Sequence, residues 1–547
     1  MMSPTRRTPA RLRRFAVAGV ALTALVLAGC GSSASEQPSA FVIVTAAQPP
    51  SFSYETSATG YEAGEFWANT GATLIRNPYA AGEGEMSASQ DLFSFEPLLA
   101  ERYEVSDDRL TYTFYLDPDA MSVAGNPVTA EDVLFSIKRK FETPTSVVPF
   151  VSAPALTDPD TQVSVIDEST VSITISDPGY GFTLLSMLAN QPYNIYDSTV
   201  LIEHATEDDP YAVTWSETNA SYGFGAYELT DYTPGEQMVY TANPGYVLGE
   251  PDITTIVQRV VPDAGQRANL VRSGDAQIAT QLRPADQIDL ADSGAAQIFT
   301  VPTNAFVYIP LLTTAAPFDD PEVRRAFSLA IPYGDIIDDV YRGRLDPVDS
   351  ILSDAAPGFD GEGLAAPEHD PVEAQEILDA AGYTEPVEFT LTVNSAVPDL
   401  EETAVLIQSA AADAGFSVTV DSVSSAVFQE GLASKSFQAS MGRDYAIVQS
   451  PPYVLSLFYT PGSPLNWPNW EDAAFSDALA AGNAVGDPLT PEAGQWWNEA
   501  QRVLQTELPT VYVGYVQPLN AFGTDVGGYV FRTDNVIDYS QLTLESE

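Results

Sequence analysis

The sequence predicts an α/β protein built from more than one lobe, and three observations predict it. At 547 residues the chain is far longer than one ordinary domain, so two or three compact bodies are expected, and 45% hydrophobic residues supply their cores. Between Val387 and Val420 the apolar pattern runs alternating, then helical, then alternating again, a β-α-β order that implies a parallel strand pair with a right-handed crossover. Between Pro97 and Phe141 two short strands around a turn lead directly into an amphipathic helix.

Taken in order, residues 1–29 stand apart. Arg6, Arg7, Arg11, Arg13 and Arg14 form a basic start, and Phe15 to Leu27 is an apolar run too short to span a membrane comfortably. Leu27-Ala-Gly-Cys30 resembles a lipobox, where a lipoprotein signal peptidase cleaves before a lipidated cysteine. Cys30 is the sole cysteine, so the mature chain carries no disulfide. A plain secretory signal or a membrane anchor is the alternative. Residues 30–39 suit a flexible tether.

Ala40 to Ala46 reads as a first buried strand, and Gln48-Pro-Pro-Ser-Phe52 as the loop after it. Tyr61 to Asn77 reads as a helix, and residues 78–95 as an exposed Gly/Ser-rich loop. Tyr103–Val105 and Leu110–Leu116 flank the turn Ser106-Asp-Asp-Arg109. Thr129-Ala-Glu-Asp132 is a capping-box-like helix start, with Val133, Leu134, Ile137 and Phe141 as the inward stripe. Alternation predicts strands at 162–166, 170–175, 226–232, 237–242 and 253–261, with a helix at 180–189. Asp263 caps a helix that stops near Gly274, before a short strand at 275–278. A strand at 305–312 precedes a helix opened by Asp319-Asp-Pro321, and Arg324 and Arg325 belong on its solvated or salt-bridged face. Asp370-Pro371 opens a helix that Gly382 ends, and the helix from Leu400 to Ala414 is closed by Gly415. A helix at 495–505 and a strand at 511–516 come last.

The residue string carries more than these shapes. P-x-L-A-E-x-Y-x-V-S-D-D-x-x-T-Y-T-F-x-L from Pro97, followed by G-x-P-V-T-A-E-D-V-x-F-S-x-K-R from Gly125, resembles the signature segment of a known family. These are the family 5 extracellular solute-binding proteins of ABC importers, which take dipeptides, oligopeptides, nickel chelates and some oligosaccharides. PFDDPEVRRAFSLAI at 317–331, AQEILDAAGY at 374–383, IQSAAADAGF at 407–416 and Gly527-Gly-Tyr529 continue the likeness over nearly the whole mature chain. It departs at Gly223-Phe-Gly-Ala-Tyr227, where Phe224 and Ala226 replace the usual residues, and at Val247, where a tryptophan is common.

The resemblance implies a type II periplasmic-binding-protein-like fold: two lobes around a hinged cleft, with an extra α+β domain inserted in the first lobe. It places the first lobe at 40–77, 210–300 and 518–547, the inserted domain at 78–209 and the other lobe at 301–517, with hinges near 300 and 518. It further implies a monomer, held to the outer face of the membrane through Cys30, that binds di- or oligopeptides and delivers them to an ABC permease and ATPase complex. The same scaffold retuned to a metal chelate, an oligosaccharide or a signalling peptide is the alternative. In peptide-binding relatives a strand end carries Asp-Tyr, and the Asp carboxylate holds the peptide α-ammonium. Asp444-Tyr445 matches that position. Arg443, with Gly442, stands where the family has tryptophan; it neutralises Asp444, holds a ligand carboxylate, or belongs with Asp444 to a surface or interlobe ion pair. Phe52 lies in the loop that lines the cleft in the family. Tyr453, Trp467 and Trp470 sit on Pro/Gly/Asn-rich loops, where aromatics wall a pocket or simply pack.

Charge and motifs set the limits. Removing residues 1–29 leaves 18 basic residues against 75 acidic ones, which argues against a nucleic-acid partner. The acidic excess reads as a solvated surface rather than a lure for cationic solutes. Two histidines far apart and no cysteine beyond Cys30 speak against a zinc site, and nothing calls for a cofactor. Gly-x-Ser-x-Gly, Ser-x-x-Lys, His-Glu-x-x-His and P-loop patterns are missing, so no catalytic residue is assigned and a secreted hydrolase is the remote alternative.

Overall fold

The computed structural model describes residues 40–545 apart from 57–59, 82–86, 302, 349–350, 353–357 and 447. The lipobox and Cys30 lie outside the described residues.

Three sheets organise the chain. The first has seven strands, in the order Tyr227–Thr233, Gln237–Ala242, Thr255–Val260, Phe41–Thr45, Ile278–Ala279, Ala521–Gly523, Ala296–Gln297. Phe41–Thr45 lies at its centre, parallel to Thr255–Val260 and Ile278–Ala279. A central parallel strand is covered on both faces, which explains why FVIVT is continuously apolar rather than alternating. The second sheet has six strands, in the order Leu345–Asp346, Thr510–Val516, Phe306–Pro310, Ala439–Asp444, Val387–Asn394, Phe416–Val423. Its last two strands are the expected parallel pair, joined through the helix Pro398–Ala411. The third is an antiparallel four-stranded sheet of Ala100–Val105, Thr111–Leu116, Thr170–Thr174 and Val163–Asp167.

The helix Ala130–Glu142 packs beside that third sheet. Its capping box is complete: the Asp132 N–H donates to Thr129 Oγ1 at 3.2 Å, and the Thr129 N–H donates to Asp132 Oδ2 at 2.8 Å. Val133 and Ile137 are buried, while Leu134 and Phe141 are half-buried. The same helix buries two cations. Arg139 and Lys140 converge on Glu55, in the loop after the first strand, at 3.0 and 3.8 Å. Lys140 also donates to the Asn194 carbonyl at 2.8 Å and lies 3.6 Å from the centre of the Tyr196 ring. This trio pins the third sheet's helix to the segment that follows the first sheet's central strand.

Several expectations need correction. The helix from Tyr61 stops at Thr70, not Asn77. Asn194 Nδ2 donates to the Trp67 carbonyl at 3.0 Å, and Gly225 N–H takes the Thr70 carbonyl at 3.0 Å, so the last turn is capped by other parts of the chain. Gly223 and Gly225 are required by this approach: a Cβ on either would fall 2.0–2.6 Å from Thr70 O. Residues 78–95 are not simply loop. Ala88–Gln90 pairs with Tyr79–Ala80 and with Val530–Phe531 near the chain's end. The salt-bridged expectation for Arg324 holds, with the side chain buried: it donates to the Phe318 and Glu507 carbonyls and pairs with the Glu507 carboxylate at 3.3 Å. Arg325 is exposed and paired with Glu373 at 2.9 Å.

The chain crosses twice between the first and second sheets, and side chains tie the crossings together. Val301 N–H donates to Gln517 Oε1 at 2.9 Å, and Thr303 Oγ1 donates to the Val516 carbonyl at 3.0 Å. Buried Arg344 donates to the Phe299 and Pro518 carbonyls at 2.8 and 2.9 Å.

Replacing Glu55 with Gln leaves Arg139 and Lys140 buried without their counter-charge. Urea unfolding of that variant is expected to show a loss of about 3–5 kcal/mol; a loss below about 1 kcal/mol would mean the trio contributes little.

Candidate functional site

Asp444 ends the strand Ala439–Asp444, which pairs antiparallel with Phe306–Pro310 in the register Phe306↔Asp444, Val307↔Arg443, Tyr308↔Gly442. Opposite residues share a face, so Asp444 lies on the face of Phe306 and Tyr308, while Arg443 lies on the other. Arg443 Nη1 reaches Asp399 Oδ2 at 3.2 Å, and the Tyr341 hydroxyl donates to the same oxygen at 2.9 Å. Arg443 therefore neutralises Asp399 rather than Asp444.

Asp444 is half-buried, and its one hydrogen bond runs from the Tyr445 N–H to Oδ1 at 2.8 Å. Loss of water pushes its carboxyl up to about 7, and that N–H opposes the shift. Among the described residues no lysine or arginine pairs with it. Aromatic groups surround it instead. Tyr308 stacks on Trp467 with centroids 5.4 Å apart, and Phe306 meets Tyr308 edge-on at 5.2 Å. Gly442 makes room: a Cβ there would touch the Tyr308 ring at 3.1–3.2 Å.

The remaining candidates separate. Tyr445 is half-buried and directs its hydroxyl towards the helix Tyr61–Thr70, to within 3.8 Å of where a Gly64 Cβ would lie. Tyr453 stands on a helix, Pro451–Tyr459, not a loop: the two prolines at its start occupy the first turn, where no N–H is needed. Its hydroxyl is buried without a hydrogen-bond partner and lies within electrostatic reach of Asp444, Tyr54 and Tyr193. Trp467 belongs to the aromatic group beside Asp444. Trp470 instead packs edge-on against Tyr459 and Phe475, between the helices Pro451–Tyr459 and Ala473–Asn483. Phe52 is buried against Phe66 and Tyr232, both at 5.0 Å, and its carbonyl accepts from the Tyr222 hydroxyl.

Tyr308, Tyr54 and Glu62 were not singled out from sequence. Glu62 opens the helix Tyr61–Thr70 and accepts from Gln281 Nε2 at 2.8 Å. Burial raises its carboxyl, against its backbone hydrogen bond, the Gln281 amide and the charges of Arg267 and Arg443. The Phe306/Tyr308 alternation was visible in the string; that it shares a face with Asp444 depends on a register no local pattern encodes. Among the described residues no cluster of three or more His, Cys, Asp or Glu could hold a metal ion, and no helix is long and apolar enough to cross a membrane.

The family model for bacterial extracellular solute-binding proteins, family 5, middle, matches residues 94–466. The chain belongs to this family. Its members are solute-binding proteins rather than enzymes. Among curated relatives of this family 5 chain, the probable D,D-dipeptide-binding periplasmic protein DdpA of Escherichia coli K12 is 25% identical over 443 residues, 79% of this chain and 82% of that protein. Di/tripeptide-binding protein 3 of Pseudomonas aeruginosa UCBPP-PA14 is 25% identical over 536 residues, 93% of this chain and 95% of that one. Among solved structures, the periplasmic binding protein DppA of Helicobacter pylori, in complex with the peptide STSA, superposes with a TM-score of 0.79 at 20% identity, covering 93% of this chain and 98% of that one. The fold is that of the type II periplasmic binding proteins.

The Asp444 carboxyl sits above its ordinary value of about 3.9, so the folded chain holds a proton there that the unfolded chain releases. Stability is therefore lost as pH rises from about 4 to about 7. In solute-free protein, the urea unfolding free energy of Asp444→Asn relative to the parent is expected to improve between pH 5 and pH 8, by about 2 kcal/mol. An unchanged difference between the two pH values would mean the carboxylate is fully solvated.

Proposed function

We propose that this protein is the lipid-anchored substrate-binding component of an ABC importer, that it closes two lobes around a di- or oligopeptide, and that it delivers the peptide to a membrane permease and its ATPase. On this reading the seven-stranded and six-stranded sheets are the cores of the lobes at 40–77, 210–300 and 518–547, and at 301–517. The four-stranded sheet belongs to a domain inserted at 78–209. Cys30 bears the lipid after removal of residues 1–29, residues 30–39 are the tether, and the receptor works as a monomer. The two crossings, near 300 and near 518, are the hinges.

The observation that carries the proposal is Asp444. A carboxylate drawn out of water with no internal cation is a receptor for an external one, and an α-ammonium supplies both the charge and the hydrogen-bond donors. The unpartnered Tyr453 hydroxyl lies within electrostatic reach of it, and Phe306 and Tyr308, with Trp467 stacked on Tyr308, make the wall on its face of the strand. The names of the relatives, which speak of dipeptides and tripeptides, support the same solute class.

Calorimetry on lipid-free protein with small peptides tests it. Asp444→Asn keeps the shape and removes the charge, and affinity is expected to fall about 10- to 100-fold, the loss of one charge-assisted hydrogen bond in a dry cleft. Parent affinity is also expected to weaken about tenfold per pH unit below about 7, because a proton must leave Asp444 before the ammonium binds. Equal affinity of the parent and Asp444→Asn would remove Asp444 from the site.

A further inference from the structure

A peptide has two charged ends, and the structure provides for one of them. Of the 23 lysines and arginines, five fall in the first 14 residues, and all of the others are described. Arg76, Arg102, Arg283, Arg324 and Arg325 are paired with Glu96, Glu104, Asp286, Glu507 and Glu373, Arg272 and Arg502 donate to Asn269 and Asn498, and Arg342 is exposed. Arg139 and Lys140 are held by Glu55, and Lys138 by Asp160. Arg267 and Arg344 direct their guanidinium groups at main-chain carbonyls. Lys435 donates to Asn469 at the far end of the strand Ala439–Asp444, roughly 15 Å or more along it. Arg109 and Arg259 are exposed, on a hairpin turn and on the strand Thr255–Val260.

Two guanidinium groups remain near Asp444, and both are matched. Arg443 points to the opposite face of its strand and pairs with Asp399 at 3.2 Å. Arg532 is bound through two nitrogens to Asp534, at 2.9 and 2.6 Å, and Gln191 holds the same carboxylate at 2.7 Å. The groups left over beside Asp444 are hydroxyls. The free Tyr453 hydroxyl offers one hydrogen bond and no charge, which suits a main-chain carbonyl and not a carboxylate.

We propose that the cleft selects a solute whose ammonium has no free carboxylate within about two residues of it: a peptide long enough to place its C-terminus outside the cleft, or one whose C-terminus is amidated or esterified. The inference rests on the peptide reading above and narrows it. In a dipeptide the two ends are at most about 7 Å apart. Its carboxylate would be stripped of water, unpaired, and close to the negative Asp444, all three unfavourable. Free dipeptides are therefore poor solutes for this chain.

Calorimetry at pH 7.5 with four probes tests the inference: Leu-Ala, Leu-Ala amide, N-acetyl-Leu-Ala amide, and the pentapeptide Leu-Ala-Ala-Ala-Ala. The amide and the pentapeptide are expected to bind at least about tenfold more tightly than Leu-Ala, and the acetylated amide not to bind. Leu-Ala binding as tightly as its amide, with the acetylated form still excluded, would overturn this inference and leave the ammonium anchor standing. In that case, loss of the free dipeptide in Arg443→Gln or Arg532→Gln would identify the cation that releases its partner. Equal binding of the acetylated and free amides, or no binding of any probe, would overturn the anchor itself and this inference with it.

Discussion

Two carboxylates are taken out of water in this molecule under opposite terms, and the rest of the architecture follows from the difference. Glu55 is fully buried, yet Arg139 and Lys140 hold its carboxyl below the usual range against the cost of burial. The pairing joins the loop behind the central strand of one sheet to the helix of another, so the charge is internal and the joint is fixed. Asp444 is desolvated without any such partner. In a chain with more than three acids for every base, cations are scarce, and their placement distinguishes scaffold from site.

The scaffold was readable because its signals are local. The Thr129 capping box, the Asp263 and Asp320 caps and the left-handed glycines 382 and 415 are each decided within a few residues. The parallel pair 387–394 and 416–423 followed from period alone. Where the reading failed, the deciding partner is distant in sequence. The helix from Tyr61 ends early because Asn194 and Gly225 take its last carbonyls. Residues 88–90 become a strand through pairing with residues more than 400 positions away.

The candidate site of the proposed reading was legible to the same limit. Asp444 stood out through its motif, but a motif does not say which way Arg443 points. That is set by register against Phe306–Pro310, and it decides whether Asp444 is neutralised. Three aromatics of one sequence region also part company: Trp467 stands beside Asp444, Trp470 is packed between two helices, and Tyr453 leaves its hydroxyl unpartnered. Residue type favoured all three equally; only the packing separates them.

On the proposed reading, the unpaired carboxylate also supplies a coupling between solute and shape. If the two sheets rock about the crossings at 299–304 and 516–520, a closed state without solute must bury Asp444 either charged and alone or protonated, and both are costly relative to an open, wet state. An incoming ammonium removes that penalty in the closed state and gains little in the open one, and such differential affinity is what shifts a two-state balance. The ties between the crossings, from Val301 and Thr303 to Gln517 and Val516, oblige both to move together. Buried Arg344 bridges Phe299 and Pro518 in the same joint. A cation built into the cleft beside Asp444 would satisfy the carboxylate in both states and abolish the difference. On the proposed reading, the absence of a pairing lysine or arginine among the described residues is thus the feature that makes closure conditional on the solute.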